Sequence, residues 1–271
     1  MLKELIGQDF QAFAIFPGRK DGPMSRLNGI FCRSDLRFAR NQGKKCRLTP
    51  AFLFREYTRN SQAMSNTSSA RHYQDLISFV KSKDNKLQDR IRHPDRMVNA
   101  VAENELRQYR SAAVLIPVTR PNAEAESCVI LTVRSADLNS HPGQISFPGG
   151  TAEKQDKDPV ATALRETQEE IGLHPNNVEV IGCISDIALP SGYRVTPVVG
   201  IIDNDLEYLA NPAEVEAIFH APLSLLLDAK AYKRSAVAYQ NAERAVLELH
   251  YGEYRIWGAT AAILYHLASH I

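Results

Sequence analysis

The chain has 271 residues, of which 44% are hydrophobic and 23% are charged, the proportions of an ordinary soluble protein. Its formal net charge of +1 argues against a strong overall attraction to nucleic acid or membranes. No apolar run is long enough to span a bilayer, and the first residues lack the apolar core of a secretory signal. The four cysteines show no metal-type spacing and are typical of reduced thiols. We therefore expect a cytoplasmic protein.

The first 65 residues differ in charge from the remainder of the chain. They hold 12 Lys and Arg against 5 Asp and Glu, a net charge of +7, which leaves −6 for the rest. Short apolar stretches alternate there with basic and turn-rich ones, and no period persists. The pattern predicts a basic extension over 1–65 that is disordered or not native to the protein. A basic arm that contacts RNA or another anionic partner is the alternative. The expected folded domain covers 70–271.

The expected elements run as a mixture of helices and strands. Residues 71–109 read as helical and amphipathic, with a second helix over 97–106. Apolar runs predict strands over 112–118, 128–134, 144–147, 178–187, 193–202, 236–239 and 245–251. Pro197 suggests an edge strand or a bulge. An acidic turn begins at Asn211, and helices are expected over 223–228 and 258–270. This order predicts an α/β fold in which helices cover both faces of a mixed sheet.

The most informative segment is a glycine loop followed by a helix, residues 147–173. Asp158 is a good N-cap with proline after it, and Gly172 is a good stop signal. One face of this helix is predicted to face the core, namely Val160, Leu164, Thr167 and Ile171.

A different face of the same helix carries Glu166, Glu169 and Glu170, with Arg165 beside Glu169. Like charges at this spacing cost a helix roughly 0.2–0.5 kcal/mol per pair, and no lysine is interspersed. A divalent cation among the carboxylates would explain the arrangement, since hard cations prefer oxygen ligands. An ordinary acidic surface helix is the alternative.

The segment resembles a Nudix box, G-x5-E-x7-R-E-U-x-E-E-x-G-U, in which U is a bulky aliphatic residue. It departs from the pattern in having Asp156 at the first acidic position, separated from Arg165 by eight rather than seven residues, and Thr167 at an aliphatic position. With the preceding L-T-V-R-S-x5-H-x-G-Q-x2-F-P-G-G, it resembles the coenzyme A pyrophosphatase branch of the Nudix hydrolases. The residues that carry this second resemblance are Leu131, Thr132, Arg134, Ser135, His141, Gly143, Gln144 and 147–150.

The resemblance implies a fold and a metal site. The fold is a Nudix-like α/β/α sandwich with a mixed sheet over roughly 70–271. Glu166 and Glu170 are expected to bind Mg²⁺ or Mn²⁺, with Glu169 as a third ligand or as the base that activates water. Arg165 is expected to hold one of these glutamates in place. Gly149 and Gly150 are expected to let the backbone approach the metal and phosphates closely.

Other acids stand outside the helix. Glu214 is our choice for a further catalytic acid from a loop after the box, with a surface carboxylate as the alternative. Glu153 and Asp156 are either contacts of a second metal or solvated loop acids.

The branch resemblance also points to cations for a substrate that has a diphosphate and a 3′-phosphate. Arg134 is expected to contact the substrate, because a guanidinium can pair bidentately with phosphate, and a structural salt bridge is the alternative. His141 is a second candidate contact, or else a loop histidine bonded to backbone. Gln144 is expected to orient backbone or substrate.

The function implied is metal-dependent cleavage of the pyrophosphate of coenzyme A or acyl-CoA, giving 3′,5′-ADP and (acyl-)4′-phosphopantetheine. A hydrolase of another nucleotide, such as ADP-ribose or a deoxynucleoside triphosphate, is the nearest alternative. A non-catalytic nucleotide- or RNA-binding domain is a more distant one. The expected partner is a small-molecule substrate rather than nucleic acid or membrane, and the chain is expected to be a monomer or homodimer.

Overall fold

A mixed β-sheet with helices on both faces positions the glycine loop and the acidic helix. The computed structural model describes residues 70–82, 90–138, 141–239 and 242–271, and these described residues all belong to one compact unit. The predicted basic extension over 1–65 lies outside the described residues. Within the described ranges, no helix is both long and apolar enough to cross a membrane.

The helices are α1 (70–81), α2 (Arg96–Asn99), α3 (Glu103–Leu106), α4 (Pro159–Ile171), α5 (Leu223–Leu226) and α6 (Gly258–Ala268), with 3-10 turns at Pro175–Asn177 and Ala229–Ala231. The strands are β1 (Arg110–Thr119), β2 (Cys128–Arg134), β3 (Ile145–Ser146), β4 (Gly149–Thr151), β5 (Glu179–Cys183), β6 (Ile187–Ala188), β7 (Tyr193–Ile202), β8 (Val215–Pro222), β9 (Lys233–Tyr239), β10 (Ala242–Tyr251) and β11 (Tyr254–Trp257).

The main sheet is built around β1, which runs parallel to β7 along its whole length. On its other side β1 pairs with β2 at Val118↔Val129, and the two strands then separate. The gap is filled by β3, which pairs with β2, and β4, which pairs with β1. Since the other side of β2 pairs with β8, the glycine loop lies between two central strands. β9, β10 and β11 form a second, antiparallel sheet.

The two faces of the main sheet carry different cores. Alternate residues of a strand point to opposite faces, and Ile116 of β1 packs in the core that includes residues of α1 and α6. Leu115 packs in the other core, together with Ala163 and Ile171 of α4. Parallel and antiparallel strand pairs between two helical layers confirm the predicted α/β/α sandwich with a mixed sheet.

Three of the expected elements were wrong. The helix expected over 97–106 is two short helices, α2 and α3. The strand expected over 178–187 is divided into β5 and β6, because its register against β7 shifts between Val180 and Gly182 and pairing then lapses. The segment taken as an acidic turn leads directly into β8, whose buried Val215, Phe219 and Ala221 follow a two-residue period that would have indicated it.

Pro197 lies inside the sheet rather than in an edge strand, since β7 has neighbours on both sides. Its carbonyl accepts a hydrogen bond from the Ile184 N–H at 3.0 Å, within the interruption between β5 and β6. The N and O atoms of a strand residue point to the same side. The missing N–H of Pro197 therefore faces that interruption and removes no bond to β1.

Candidate active site

Helix α4 begins and ends where the sequence predicts. The Asp158 carboxylate accepts a hydrogen bond from the Ala161 N–H at 2.8 Å, and Gly172 has a φ of 70° in the left-handed region. Thr167 stands at the aliphatic position of the box. Its hydroxyl donates to the Ala163 carbonyl at 2.6 Å, so the buried side chain leaves no unpaired polar atom.

The two glycines of the loop are needed for different reasons. Gly149 has a φ of 152°, and a Cβ on it would lie 2.4 Å from the Ala113 carbonyl oxygen. A Cβ on Gly150 would instead lie 2.5 Å from the carboxylate of Glu166. Gly149 therefore permits the close packing of β4 against β1, whereas Gly150 leaves room for an acidic side chain of the helix.

Arg165 connects α4 to the segment that precedes the helix. Its Nε and Nη2 bind both carboxylate oxygens of Asp156, at 3.1 and 3.0 Å, and Nη2 also donates to the Thr151 carbonyl. These hydrogen bonds hold the pKa of Asp156 at about 2, helped by the Glu153 N–H and the Thr162 hydroxyl. Asp156, whose side chain is 5% exposed, is therefore an ion-pair partner of Arg165 and not a solvated loop acid.

Arg165 also orients two of the helix carboxylates. Nη2 lies 3.0 Å from Glu166 Oε1, and Nη1 lies 3.0 Å from Glu169 Oε2. The Glu169 side chain is 54% exposed, whereas burial raises the pKa of Glu166 despite the nearby guanidinium. Arg165 thus contacts two of the helix glutamates, and its role in the reaction stays a prediction.

Glu170 is the buried acid of the cluster, with 2% of its surface exposed. Burial raises its pKa to about 8, although the Gly149 N–H donates to Glu170 Oε2 at 3.2 Å. Arg134 Nη1 lies 3.9 Å from the other carboxylate oxygen, and the charges of Glu214 and Glu166 oppose ionisation. Glu170 therefore lacks a close counter-ion.

The loop before β8 brings Glu214 towards this buried acid. The Asn211 N–H donates to the Glu170 carbonyl at 2.8 Å, and Asn211 Nδ2 donates to Glu214 Oε1 at 3.4 Å. The Ser135 N–H binds the Glu214 carbonyl at 2.9 Å. Glu214 lies close enough to interact electrostatically with both Glu166 and Glu170. The sequence marked Asn211 only as a turn residue, yet its amide links the helix end to Glu214.

The end of β2 and the loop that follows it carry Arg134, His141 and Gln144, the candidate substrate contacts. The Arg134 N–H donates to the Gln144 carbonyl at 2.9 Å, and the Gly143 N–H donates back to the Arg134 carbonyl at 3.0 Å. His141 is exposed and has a φ of 59°. Arg134 lies near Glu170. The side chains of His141 and Gln144 make no hydrogen bond to another described residue, whereas the backbone of Gln144 bonds to the backbones of His141 and Arg134.

The acids fit a hard divalent cation in their chemistry. In the described ranges, no three His, Cys, Asp or Glu side chains converge closely enough to hold a metal ion, and Arg165 keeps Glu166 and Glu169 paired. The donor set consists of carboxylate oxygens, which Mg²⁺ and Mn²⁺ prefer. Buried Glu170, beside two further acids and only a distant guanidinium, is the group whose charge a cation would compensate.

A glycine loop followed by an acid-rich helix on one face of a mixed sheet defines the class of this protein as an α/β/α sandwich with a cluster of carboxylates. The comparisons make the class specific. The NUDIX domain family matches residues 108–240. The chain is 40% identical over 162 residues to the uncharacterized Nudix hydrolase NudL of Photorhabdus laumondii, covering 60% of this chain and 85% of that protein. It is 41% identical over 167 residues to NudL of Escherichia coli K12, covering 62% and 85%. The chain belongs to the Nudix hydrolase family.

Solved structures with a likeness to this chain include RenU, a Nudix hydrolase from M. smegmatis. It is 22% identical with a TM-score of 0.36, covering 42% of this chain and 71% of that one. An Ap4A hydrolase from C. elegans is 17% identical with a TM-score of 0.36, covering 41% and 79%.

Proposed function

We propose that this Nudix hydrolase cleaves the pyrophosphate of coenzyme A or acyl-CoA to 3′,5′-ADP and (acyl-)4′-phosphopantetheine. The observation that carries the proposal is the position of Arg134. This residue of the branch-like segment lies 3.9 Å from the buried acid of the box helix. A cation that close to the carboxylates can meet a substrate phosphate while the acids act on the diphosphate.

Glu166 and Glu170 would hold the divalent cation, with Glu169 as a further ligand or as the base. A bound Mg²⁺ or Mn²⁺ supplies charge neutralisation at the phosphate oxygens and a lower pKa for water. The shifted pKa values of Glu166 and Glu170 support this assignment, since burial disfavours their charge until a cation compensates it. Arg165 fixes the carboxylates of Glu166 and Glu169 through its anchor on Asp156.

Hydrolysis forms one P–O bond to the water oxygen and breaks the bridging P–O bond of the diphosphate. The departing phosphate keeps the electron pair of the broken bond, and the water proton passes to a carboxylate. Glu169 and Glu214 are the candidates for this base. Glu169 is exposed enough to meet water, and Glu214 is oriented by the Asn211 amide beside the other acids.

Arg134 has the chemistry to bind a phosphate of the substrate. The 3.9 Å between Arg134 Nη1 and Glu170 Oε1 is longer than a direct charge-assisted hydrogen bond, so the two side chains do not form a bidentate ion pair. His141 and Gln144 belong to the loop that follows Arg134 and would line the approach to it. This set is our proposal for the residues that recognise coenzyme A.

The defining experiment is mass spectrometry of the products formed from CoA with Mg²⁺ and, separately, Mn²⁺. Acetyl-CoA, dephospho-CoA, ADP-ribose and dATP serve as competing substrates for the full chain. We expect 3′,5′-ADP and 4′-phosphopantetheine, with CoA preferred over dephospho-CoA. Equal turnover of CoA, dephospho-CoA and ADP-ribose would contradict the coenzyme A assignment. An absence of turnover on every substrate would favour a binding domain instead.

A variant of Arg134 tests the proposed contact between this residue and a phosphate of the substrate. Arg134→Gln should raise KM for CoA more than kcat falls, by about tenfold or more, because a charge-assisted hydrogen bond contributes roughly 1.5–3 kcal/mol. If the contact is to the 3′-phosphate, dephospho-CoA should show a smaller change. Arg107→Gln, at an exposed position, is the matched control and should leave both constants unchanged. An unchanged KM in Arg134→Gln would refute the contact.

A further inference from the structure

The C-terminal end of α4 is joined by hydrogen bonds to the segment 209–214, which leads into β8. The Leu209 N–H donates to the Ile171 carbonyl at 2.9 Å. The Asn211 N–H donates to the Glu170 carbonyl at 2.8 Å. The last carbonyls of a helix have no partner inside it, and these two N–H groups supply partners from outside. The segment is therefore fixed against the helix residue that carries the buried acid.

Asn211 uses its backbone carbonyl and both polar atoms of its side-chain amide within this segment. The carbonyl accepts the N–H of Glu214 at 2.9 Å and that of Val215 at 2.8 Å. Oδ1 accepts the Ala213 N–H at 3.2 Å, which closes the turn. Nδ2 donates to Glu214 Oε1 at 3.4 Å, a long hydrogen bond. One residue thus contacts the backbone of Glu214 and also one oxygen of its carboxylate.

The backbone of Glu214 is also bonded to the residue that follows β2. The pairing of β2 with β8 shifts register between Val133 and Arg134, so that β8 has one extra residue there, Glu216. A bulge of this kind changes the direction in which the side chains of a strand point. Immediately beyond the bulge, the Ser135 N–H donates to the Glu214 carbonyl at 2.9 Å. Glu214 is therefore bonded both to its own turn and to the segment that carries Arg134.

Glu169 and Glu214, the two candidate bases, are held by different parts of the site. Glu169 Oε2 lies 3.0 Å from Arg165 Nη1, and Arg165 is anchored on the segment that precedes α4. Glu214 is instead bonded to Ser135, the neighbour of the proposed phosphate contact Arg134. Its Oε1 meets a neutral amide, and its Oε2 accepts no hydrogen bond from the residues that the structure describes. Glu214 is thus the candidate base on the side of the proposed phosphate contact.

We propose that Asn211 is a positioning residue, which holds Glu214 as the base of the hydrolysis in preference to Glu169. The amide fixes Oε1 of Glu214, and Oε2 takes the proton of the attacking water. The water oxygen forms the new P–O bond while the bridging P–O bond breaks, and the departing phosphate keeps the electron pair of that bond. This role of Asn211 rests on the hydrolysis proposed above, but not on the identity of the substrate.

Asn211→Asp separates the contact with Glu214 from the turn. The new side chain keeps an acceptor for the Ala213 N–H, but it loses the donor and places a second carboxylate beside Glu214. We expect kcat to fall about tenfold or more, because hydrogen bonds to charged groups are strong, while KM changes less than about twofold. The measurement is steady-state hydrolysis by the full chain of whichever of CoA, ADP-ribose or dATP it cleaves.

Asn122→Asp is the matched control. Asn122 lies in the turn between β1 and β2, and its Oδ1 likewise accepts backbone N–H groups, those of Glu124 at 2.8 Å and Ala125 at 2.7 Å. Its side-chain amide has no contact with the acid cluster. Both kinetic constants should therefore equal those of the native chain.

A double-mutant cycle shows whether Asn211 acts through Glu214. Glu214→Ala alone should lower kcat by about 10²-fold or more, the typical contribution of a general base, and by more than Glu169→Ala does. In the Glu214→Ala background, Asn211→Asp should cause no further loss of kcat, because the carboxylate that it disturbs is absent. A purely structural role would lower kcat by the same factor in both backgrounds. That result, or a larger loss in Glu169→Ala, would overturn the proposal.

NMR spectra of the full chain in EDTA give a readout that needs no turnover. The side-chain amide resonances of Asn211 should shift in Glu214→Ala, whereas those of Asn122 should stay in place. Asn211 resonances that do not move would refute the contact, whatever the activity. Shifted resonances in a native chain that hydrolyses none of the substrates would instead refute the proposed hydrolysis, and with it the base. Circular dichroism of each variant should confirm an intact fold.

Discussion

The carboxylates near the two ends of α4, the helix of the Nudix box, differ in how their buried charge is compensated. At the loop end, Asp156 binds the Arg165 guanidinium through both oxygens, and the pKa of this carboxyl falls to about 2. At the other end, Glu170 is buried with a guanidinium 3.9 Å away, and burial raises its pKa to about 8. A guanidinium thus compensates the negative charge of the Asp156 carboxylate, whereas the Glu170 carboxylate has no such close partner.

The difference separates architecture from chemistry within one motif. A compensated ion pair is complete without a ligand, so the Asp156–Arg165 pair serves to hold the loop and orient two glutamates. An uncompensated buried carboxylate is costly unless something cationic binds, and such groups cluster at functional sites. The predictions below test whether the two ends of the helix behave in these two ways.

The largest expected effect is on activity in Glu170→Gln. This change removes a carboxylate from the proposed cation site and should lower kcat/KM by about 10³-fold, because cation and proton-transfer effects each contribute that order. The measurement is steady-state turnover of CoA with Mg²⁺. Glu216→Gln is the matched control, since Glu216 is exposed in β8, and its turnover should equal that of the native chain. Native turnover in Glu170→Gln would contradict the assignment.

The second effect is on stability without metal. Glu170 has a folded-state pKa of about 8, above the unfolded value of about 4.3, so the folded state binds the proton more tightly. Its ionisation therefore destabilises the protein as pH rises from about 4.3 to about 8. In EDTA, the native chain should lose a few kcal/mol relative to Glu170→Gln between pH 5 and pH 8.

Urea unfolding of both proteins at each pH gives this difference. Added Mg²⁺ should reduce the loss in the native chain, since ligand binding to the folded state stabilises it. Parallel pH profiles for the two proteins in EDTA would show that Glu170 is not the titrating group.

The third effect concerns the compensated end. Asp156→Asn should lower the free energy of unfolding by about 1.5–3 kcal/mol, because hydrogen bonds to charged groups contribute that amount and Arg165 loses its anchor. The folded pKa of Asp156 is depressed, so its contribution is present above the unfolded value of about 3.9 and is lost as pH falls towards about 2. Urea unfolding at pH 7 and pH 3 measures both.

Glu153→Gln is the control for this pair, because Glu153 is an exposed loop acid 3.9 Å from the same guanidinium. Its stability should change by less than about 0.5 kcal/mol. If the two variants lose stability equally, the Asp156–Arg165 pair has no special structural role.

The smallest expected effect comes from a pair of glycine variants. Gly150→Ala should lower kcat/KM by roughly tenfold with little change in stability, because its Cβ displaces only the terminal carboxylate of Glu166 and no backbone atom. Gly252→Ala should instead lower the stability and leave kcat/KM nearly unchanged. Its φ of 58° is strained for alanine by about 1–2 kcal/mol, but no atom within 4 Å obstructs the Cβ. Turnover assays and thermal unfolding of both variants check this contrast, and a stability loss confined to Gly150→Ala would reverse it.

Local chemistry made the box helix predictable. The Asp158 cap, the proline after it and the Gly172 stop depend on neighbours within four residues, and the structure confirms each of them. The fold class was also accessible, because strand and helix periods alternate along the chain. The break in the expected 178–187 strand was not, since it follows from pairing with the distant strand β7.

The sequence by itself determined the family, the helix that carries the acids, and the cluster of Glu166, Glu169 and Glu170 with Arg165, because these features depend on short-range spacing. Only the tertiary structure decided which acid is compensated. Asp156 meets Arg165 through the fold of the loop, whereas Glu170 is buried against β4 beside Glu214, which is 44 residues further along the chain. The pKa of a carboxyl depends on its desolvation and on charges from distant parts of the chain. Both are set by the residues that pack around the side chain, which the spacing of residues in the sequence does not reveal.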